Sequence, residues 1–381
     1  MRNLQNIIIC CGSAEPVPLT LLCVNLRESA KSARQNSRVL CVKINRPLSA
    51  PSHDIKKTMN RNESIDILKG IGIILVLVAH SLGGAISTFA YTFHMPLFFI
   101  ITGLFMKIPS QGVSISEAVK KDFKRLIYPA IFTTVFIIAF CMLHFLFPDS
   151  YLPHPKELLI KTEGNIRLDS FQILGNLWFL FALFWGKTYF NVITRLQKTT
   201  WIAVTCFLLG IMAVTIGKAC TLPYGITIGF SILPFILIGQ MLRMSGFHET
   251  GKINKWMYLS IPLWVVYIYL GELRVDIMQY SWGYIPDIFA ACGGTLFSYI
   301  ISREISRRYT ITNKVLAFLG RYSLILICMP SIETYCFPMQ EIMPELPFRS
   351  MFVIAGKVLW CAASMYACIR VPFLKRIFGV R

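Results

Sequence analysis

The sequence predicts an all-α fold: a polytopic, integral membrane helical bundle with about ten transmembrane helices. Three observations predict it. Hydrophobic residues fill 55% of the 381 positions and charged residues only 15%, against roughly 25% in soluble domains. Mean hydropathy is +0.58. Apolar runs long enough to cross a hydrocarbon core of about 30 Å, which takes about 20 helical residues, recur from Ile65 to Ile369.

Residues 1–58 read differently and are expected to be a disordered or non-native extension ahead of a membrane domain over 59–381. Their apolar pieces, Leu4–Cys11 and Val17–Val24, are too short to span and are interrupted by Pro16 and Pro18. A basic, Ser-rich stretch from Arg27 to Lys57 follows, without a convincing small-residue cleavage site. Met59 opens MNRNESIDILKGIG, a polar lead into the first helix, so a chain starting there is expected to insert and function like the full one.

Spans are predicted at 65–83, 90–107, 126–147, 174–193, 200–217, 225–243, 256–271, 283–303, 314–335 and 349–369. The second holds Pro96 and the ninth holds Pro330, so a kink or tilt is expected in each. Every second connection is basic. Lys107, Lys120, Lys121, Lys124 and Arg125 lie between the second and third spans, and Arg303, Arg307, Arg308 and Lys314 between the eighth and ninth. The alternate loops are uncharged or acidic: Ser81–Ala90 carries no charge, and Glu272 and Asp276 outnumber Arg274. The positive-inside bias then puts both termini in the cytoplasm of a multi-pass protein of the cell (inner) membrane, which requires an even number of spans. This dispersal also accounts for the net charge of +19. Basic residues interleaved with aromatics on one polar face, as a nucleic-acid partner would need, do not occur. The twelve cysteines form no CxxC and no Cys/His cluster at metal spacing, so no metal is expected.

The first span carries unusual polar groups. Asp66 and Lys69 are three residues apart and share a face. Lys69 and His80 are eleven apart, about three turns, which aligns them about 16 Å from one another. Titratable groups at mid-depth in a membrane cost at least about 2.5 kcal/mol each and usually face a bundle interior or a wet cavity. The line of Asp66, Lys69 and His80 therefore predicts an internal polar path, and His94 faces the same short loop as His80. Snorkelling to headgroups would account for Lys69 but not for the two histidines.

The string ESIDILKGIGIILVLVAHS, followed within fifteen residues by FHMPLFFIITGLFM, resembles membrane acyltransferase family 3, particularly its fucose 4-O-acetylase-like branch. Lys69 and His80 match that family's basic residue and histidine. Weaker echoes are Lys124–Pro129, Leu177–Leu180, Leu233–Gly239 and Phe318–Leu324, so the resemblance covers about 61–375. At one position the chain departs from the pattern: Pro330 stands where the family often has a histidine.

The resemblance implies transfer of an acyl group, usually acetyl from acetyl-CoA, to a hydroxyl of a saccharide or glycolipid acceptor at the cell surface. It makes His80 the candidate general base, since imidazole, with an unperturbed pKa near 6.5, is the usual proton acceptor for such an attack. Lys69 and Arg125 become candidates for binding the acyl-CoA phosphates, Asp66 for orienting Lys69, and His94 and Trp178 for the acceptor side. His144 and Asp149 form an HxxxxD spacing without companion motifs and are set aside. The rival reading is a transporter or flippase of a lipid-linked saccharide, but the two halves of the chain show no repeat correspondence.

Overall fold

A computed structural model describes residues 22–24, 40–42, 53–107, 114–147, 172–196, 198–217, 222–247, 254–339 and 349–380. The chain divides into two compact units, Met1–Met59 and Asn60–Arg381. In the first, β1 (Leu22–Val24) pairs antiparallel with β2 (Leu40–Val42). Most of residues 1–58, and with them the expectation of disorder, lie outside the described residues.

The second unit is a helical bundle. Its helices are α1 (His53–Leu82), α2 (Gly84–Tyr91), α3 (His94–Phe105), α4 (Ile115–Asp122), α5 (Tyr128–Cys141), α6 (Trp178–Ile193) and α7 (Thr199–Gly217). They continue as α8 (Ile226–Ser231), α9 (Leu233–Met244), α10 (Ser260–Leu270), α11 (Tyr284–Arg308), α12 (Thr310–Arg321), α13 (Ser323–Cys336), α14 (Arg349–Arg370) and α15 (Pro372–Ile377). Between α10 and α11 a two-residue hairpin pairs β3 (Leu273–Arg274) with β4 (Gln279–Tyr280). Local sequence sets several boundaries. The Ser114 hydroxyl accepts from the Ser116 amide at 3.2 Å to start α4, with Glu117 in its first turn and Lys120 and Lys121 in its last. Proline takes the first turn of α5, of α9 and of α15, where its missing N–H costs nothing.

Every predicted span is helical, but they are not equivalent. Seven segments are long and apolar enough to cross a membrane, and α12 with α13 makes an eighth if counted as one span bent by 70°. The fourth and seventh predicted spans fall short. The helix of α6 begins only at Trp178 because Gly175 (φ 44°, ψ −123°) breaks the segment before it, and the apolar helix ending at Leu270 starts at Met257. Ten crossings therefore require these two short helices to span as well.

Small residues bring the helices together, as packing in lipid favours. A Cβ on Gly103 of α3 would overlap the Ile236 carbonyl oxygen of α9, and one on Gly239 would overlap that of Ile100. The end of α3 is then finished by α9: Arg243 donates to the Met106 carbonyl at 3.1 Å, and the Gln240 amide, oriented to donate, reaches the Met106 and Gly103 carbonyls at 3.0 Å each. A second close contact joins α1 to α12. A Cβ on Gly70 would overlap the Leu316 carbonyl oxygen, and one on Gly320 would overlap that of Asp66. Gly320→Val should therefore lower bundle stability by about 1–3 kcal/mol, as overpacking of a close contact does. Thermal unfolding of the purified protein in detergent measures this, and an unchanged melting curve would mean that α1 and α12 do not meet there.

Candidate active site

The site is built on the upper half of α1. Beyond Gly72 the face of α1 that carries Ile74, Leu77, Val78, His80 and Ser81 opens onto a cavity of about 920 Å³. The opposite wall is α14, whose residues 354, 357, 358, 360, 361, 362, 365, 366, 369 and 370 line it, all but 360 in an i, i+3, i+4 pattern. That i, i+3, i+4 rhythm is one stripe of one helix. From Lys357 to Arg370 the stripe rises about 20 Å, much of the thickness of a bilayer core. Gly175 and Asn176 ahead of α6, and residues of α12 and α13, close the remaining sides.

The cavity is apolar along most of its length, and its polar groups gather near its ends. At one end are His80, Asn176, Ser331, Glu333 and Lys357; Arg370 lies over the Tyr366 ring at 5.6 Å at the foot of α14. Glu333 is 3% exposed and sits 3.6 Å from the Lys357 ammonium, while its other oxygen accepts from the Met339 amide at 3.1 Å. Pro330, the position of the expected family histidine, also faces this cavity, one turn from Glu333.

Beside His80 an aromatic and ionic cluster forms. The His80 ring meets Tyr91 edge-on at 6.2 Å, and Tyr91 meets His94 at 5.1 Å. Arg274, from β3, lies 4.6 Å over the Tyr91 ring and is held by two hydrogen bonds to Asp276, of 3.1 and 2.8 Å. Those bonds keep the guanidinium pKa above its ordinary value, so the cation is permanent. His94 is fully buried, and its Nδ1–H donates to the Ala90 carbonyl. Because a carbonyl can only accept, Nε2 of the neutral ring is left as a bare acceptor, and it has no partner among the described residues.

Lys69 stands elsewhere. Its ammonium is 3.5 Å from Asp66 and 5.4 Å over the Phe105 ring, and Asp66 also accepts from Arg321 at 3.2 Å. Arg125, in the π-helical turn Phe123–Ile127, lies within electrostatic reach of both Lys69 and the Lys187–Asp122 ion pair. Asp66, Lys69 and Arg125 thus gather at one end of the bundle and His80 and His94 at another level, but Lys69 is not among the cavity-lining residues. This cavity reaches down α1 as far as Ile74 and does not itself join Lys69 to His80. The reason is the Gly70–Leu316 and Gly320–Asp66 contact, which seats that turn of α1 against α12. Trp178 packs edge-on to Phe179 at 6.1 Å and does not line the cavity, whereas Asn176, two residues earlier, does.

Sequence reasoning assigned no role to Arg274, Asp276, Glu333, Lys357 or Arg370. The signal for two of them was present: Lys357 is the lone charge between Met351 and Ile369, and Glu333 is the lone charge of α13. Isolated intramembrane charges of opposite sign on two helices point to a pair.

Residues 62–329 match the family described as "Acyltransferase domain", number 3 of that name, over most of the chain. The chain belongs to this family. The Nodulation protein NolL of Mesorhizobium japonicum is 26% identical over 234 residues, 56% of this chain, and the match spans 58% of that relative's own length. No solved structure matches. Nothing in these comparisons supports the transporter alternative. Among the described residues no cluster of metal ligands occurs.

The Arg274 fork predicts its own test. Arg274→Lys keeps the charge but loses the two-bond geometry on Asp276 and the planar contact with Tyr91. It should destabilise the cluster by about 1–3 kcal/mol, the worth of such charged hydrogen bonds, read as a lowered melting temperature. Full retention would show that the pair is a solvated surface contact.

Proposed function

We propose that this acyltransferase carries an acyl group, acetyl first, from cytoplasmic acyl-CoA to a hydroxyl of a cell-surface saccharide or its lipid-linked precursor. The observation that carries the reading is His80 opening onto a long apolar cavity with a cation, Arg370, at its far end. The acyl-CoA phosphates need cations and its pantetheine arm an apolar corridor; the thioester must arrive beside a base. In this reading Arg370, with Lys69 and Arg125 on the basic end of the bundle, attracts the phosphates, and Asp66 orients Lys69. The alternation of loop charge supports a cytoplasmic location for that end and for both termini.

The chemistry at the other end follows. A nitrogen of neutral His80 accepts the proton of the acceptor hydroxyl as its oxygen attacks the thioester carbonyl. The tetrahedral intermediate collapses by breaking the carbon–sulfur bond, and the departing CoA thiolate takes the proton back from the imidazolium. His94, fully buried behind Tyr91 and outside the cavity lining, assists His80 through that ring and does not touch the substrate.

Removing a general base usually costs about 10²–10⁴-fold in rate. His80→Ala should therefore lose at least about 10²-fold in acyl transfer while remaining folded and inserted. Mass spectrometry of surface glycans from cells with the wild-type gene, with His80→Ala and without the gene is the measurement. An acyl mass shift that persists with His80→Ala would end the base assignment, and loss of whole glycans in place of one acyl group would favour a flippase. Lys69→Ala and Arg370→Ala should each raise KM for acyl-CoA more than KM for the acceptor. Unchanged dependence on acyl-CoA in both would remove the donor route.

A further inference from the structure

The two ends of the cavity differ in net charge, and the difference specifies the acceptor. Near His80 every cation has its own carboxylate: Lys357 is paired with Glu333 at 3.6 Å, and Arg274 with Asp276. At the other end the balance is positive: Arg370 lies over the Tyr366 ring and has no carboxylate partner among the described residues. An anionic substrate is thus suited to the second end and unsuited to the first.

The end beside His80 is polar without being charged overall. Ser331 is among its lining residues, and its hydroxyl, buried against Gly175, has no hydrogen-bond partner among the described residues. A buried hydroxyl left unpaired costs about 1–3 kcal/mol, which a ligand able to bond it would relieve. The Glu333–Lys357 separation is an ion pair but too long for a hydrogen bond, so the ammonium keeps donors free and the carboxylate keeps acceptor sites free. Asn176 adds an amide that both donates and accepts. Acceptor and donor groups side by side, with no net charge, match adjacent hydroxyls, each of which donates and accepts. An acidic ring would bring a second carboxylate against Glu333 with no free cation to offset it, and an uncompensated buried charge is strongly unfavourable.

We infer that Glu333, Lys357, Ser331 and Asn176 form the acceptor subsite, and that it takes an uncharged, hydroxyl-rich sugar residue and excludes an acidic one. This rests on the acyltransferase reading above. Glu333 and Lys357 hold the acceptor ring so that one hydroxyl reaches His80.

Two measurements test it. In cells making the full chain, fragmentation of surface glycans by mass spectrometry identifies which sugar residue carries the His80-dependent acyl group. An uncharged sugar is expected, and an acyl group on a uronic or other acidic sugar would overturn the inference. In the same cells, Glu333→Gln and Lys357→Met should each reduce the acylated fraction at least tenfold and Ser331→Ala a few-fold. In the residual transfer by the purified proteins, KM should rise more for the acceptor than for acyl-CoA, a split that a merely structural role would not produce. Glu333→Asp and Lys357→Arg should recover part of the loss. If an ion-pair variant fails to fold, Ser331→Ala still reads the subsite. Wild-type acylation in Ser331→Ala and in every ion-pair variant that folds would sink the proposal. A complete absence of His80-dependent acylation in the wild type would instead defeat the acyltransferase reading beneath it.

Discussion

The rotation of α1 about its own axis decides where each of its polar groups points, and the glycine contact with α12 fixes that rotation. Gly70 and Gly320 leave no room for a side chain between the two backbones, so the Asp66–Lys69 turn is clamped beside Arg321. With that turn fixed, a continuous helix carries His80 about three turns further along. There the neighbour changes from α12 to the Gly175–Asn176 break and α14, and the imidazole faces open space. One close backbone contact thus sets both the ionic cluster at one level and the cavity at the other.

The cavity owes its shape to two interruptions of helical geometry. The 70° bend between α12 and α13 turns the chain at Tyr322, so that Phe318 and Leu319 lie at one part of the wall and Pro330 to Tyr335 at another. The left-handed Gly175 stops the helix before Trp178, so a short irregular stretch meets Ser331 and Tyr335 where a straight helix would have filled the space. Irregular backbone at membrane depth is tolerated where it lines a cavity or is buried in protein. Both breaks do so.

The helical fold was legible in the sequence because length and hydropathy alone decide it, and each predicted span coincides with helix. The seventh span was already short as predicted, at 256–271, but the late start of α6 was not foreseen. Its apolar run extends past Gly175, and hydropathy does not register where the backbone stops being α-helical. That His80 stands on a cavity wall agrees with the cost of a histidine in an apolar helix, and the same rule applied to Lys357 and Glu333 would have exposed the pair. Arg274 and Asp276 could not be found that way. Two charges two residues apart in a loop look solvated, and only the hairpin that brings Arg274 over Tyr91 gives the pair a role. The separation of Lys69 from the cavity was likewise beyond periodicity, which gives the angle of a side chain but not the neighbour that covers it.

The wall that α14 provides is a single helix with an apolar back: Met351, Phe352 and Leu359, none of which lines the cavity, are all more than half exposed. A helix held on one side only is the one that tilts when the bilayer thins or thickens. Of the elements around the cavity, α14 is thus the one whose tilt a thinner or thicker bilayer would change first, and with it the spacing between Lys357 and the wall opposite.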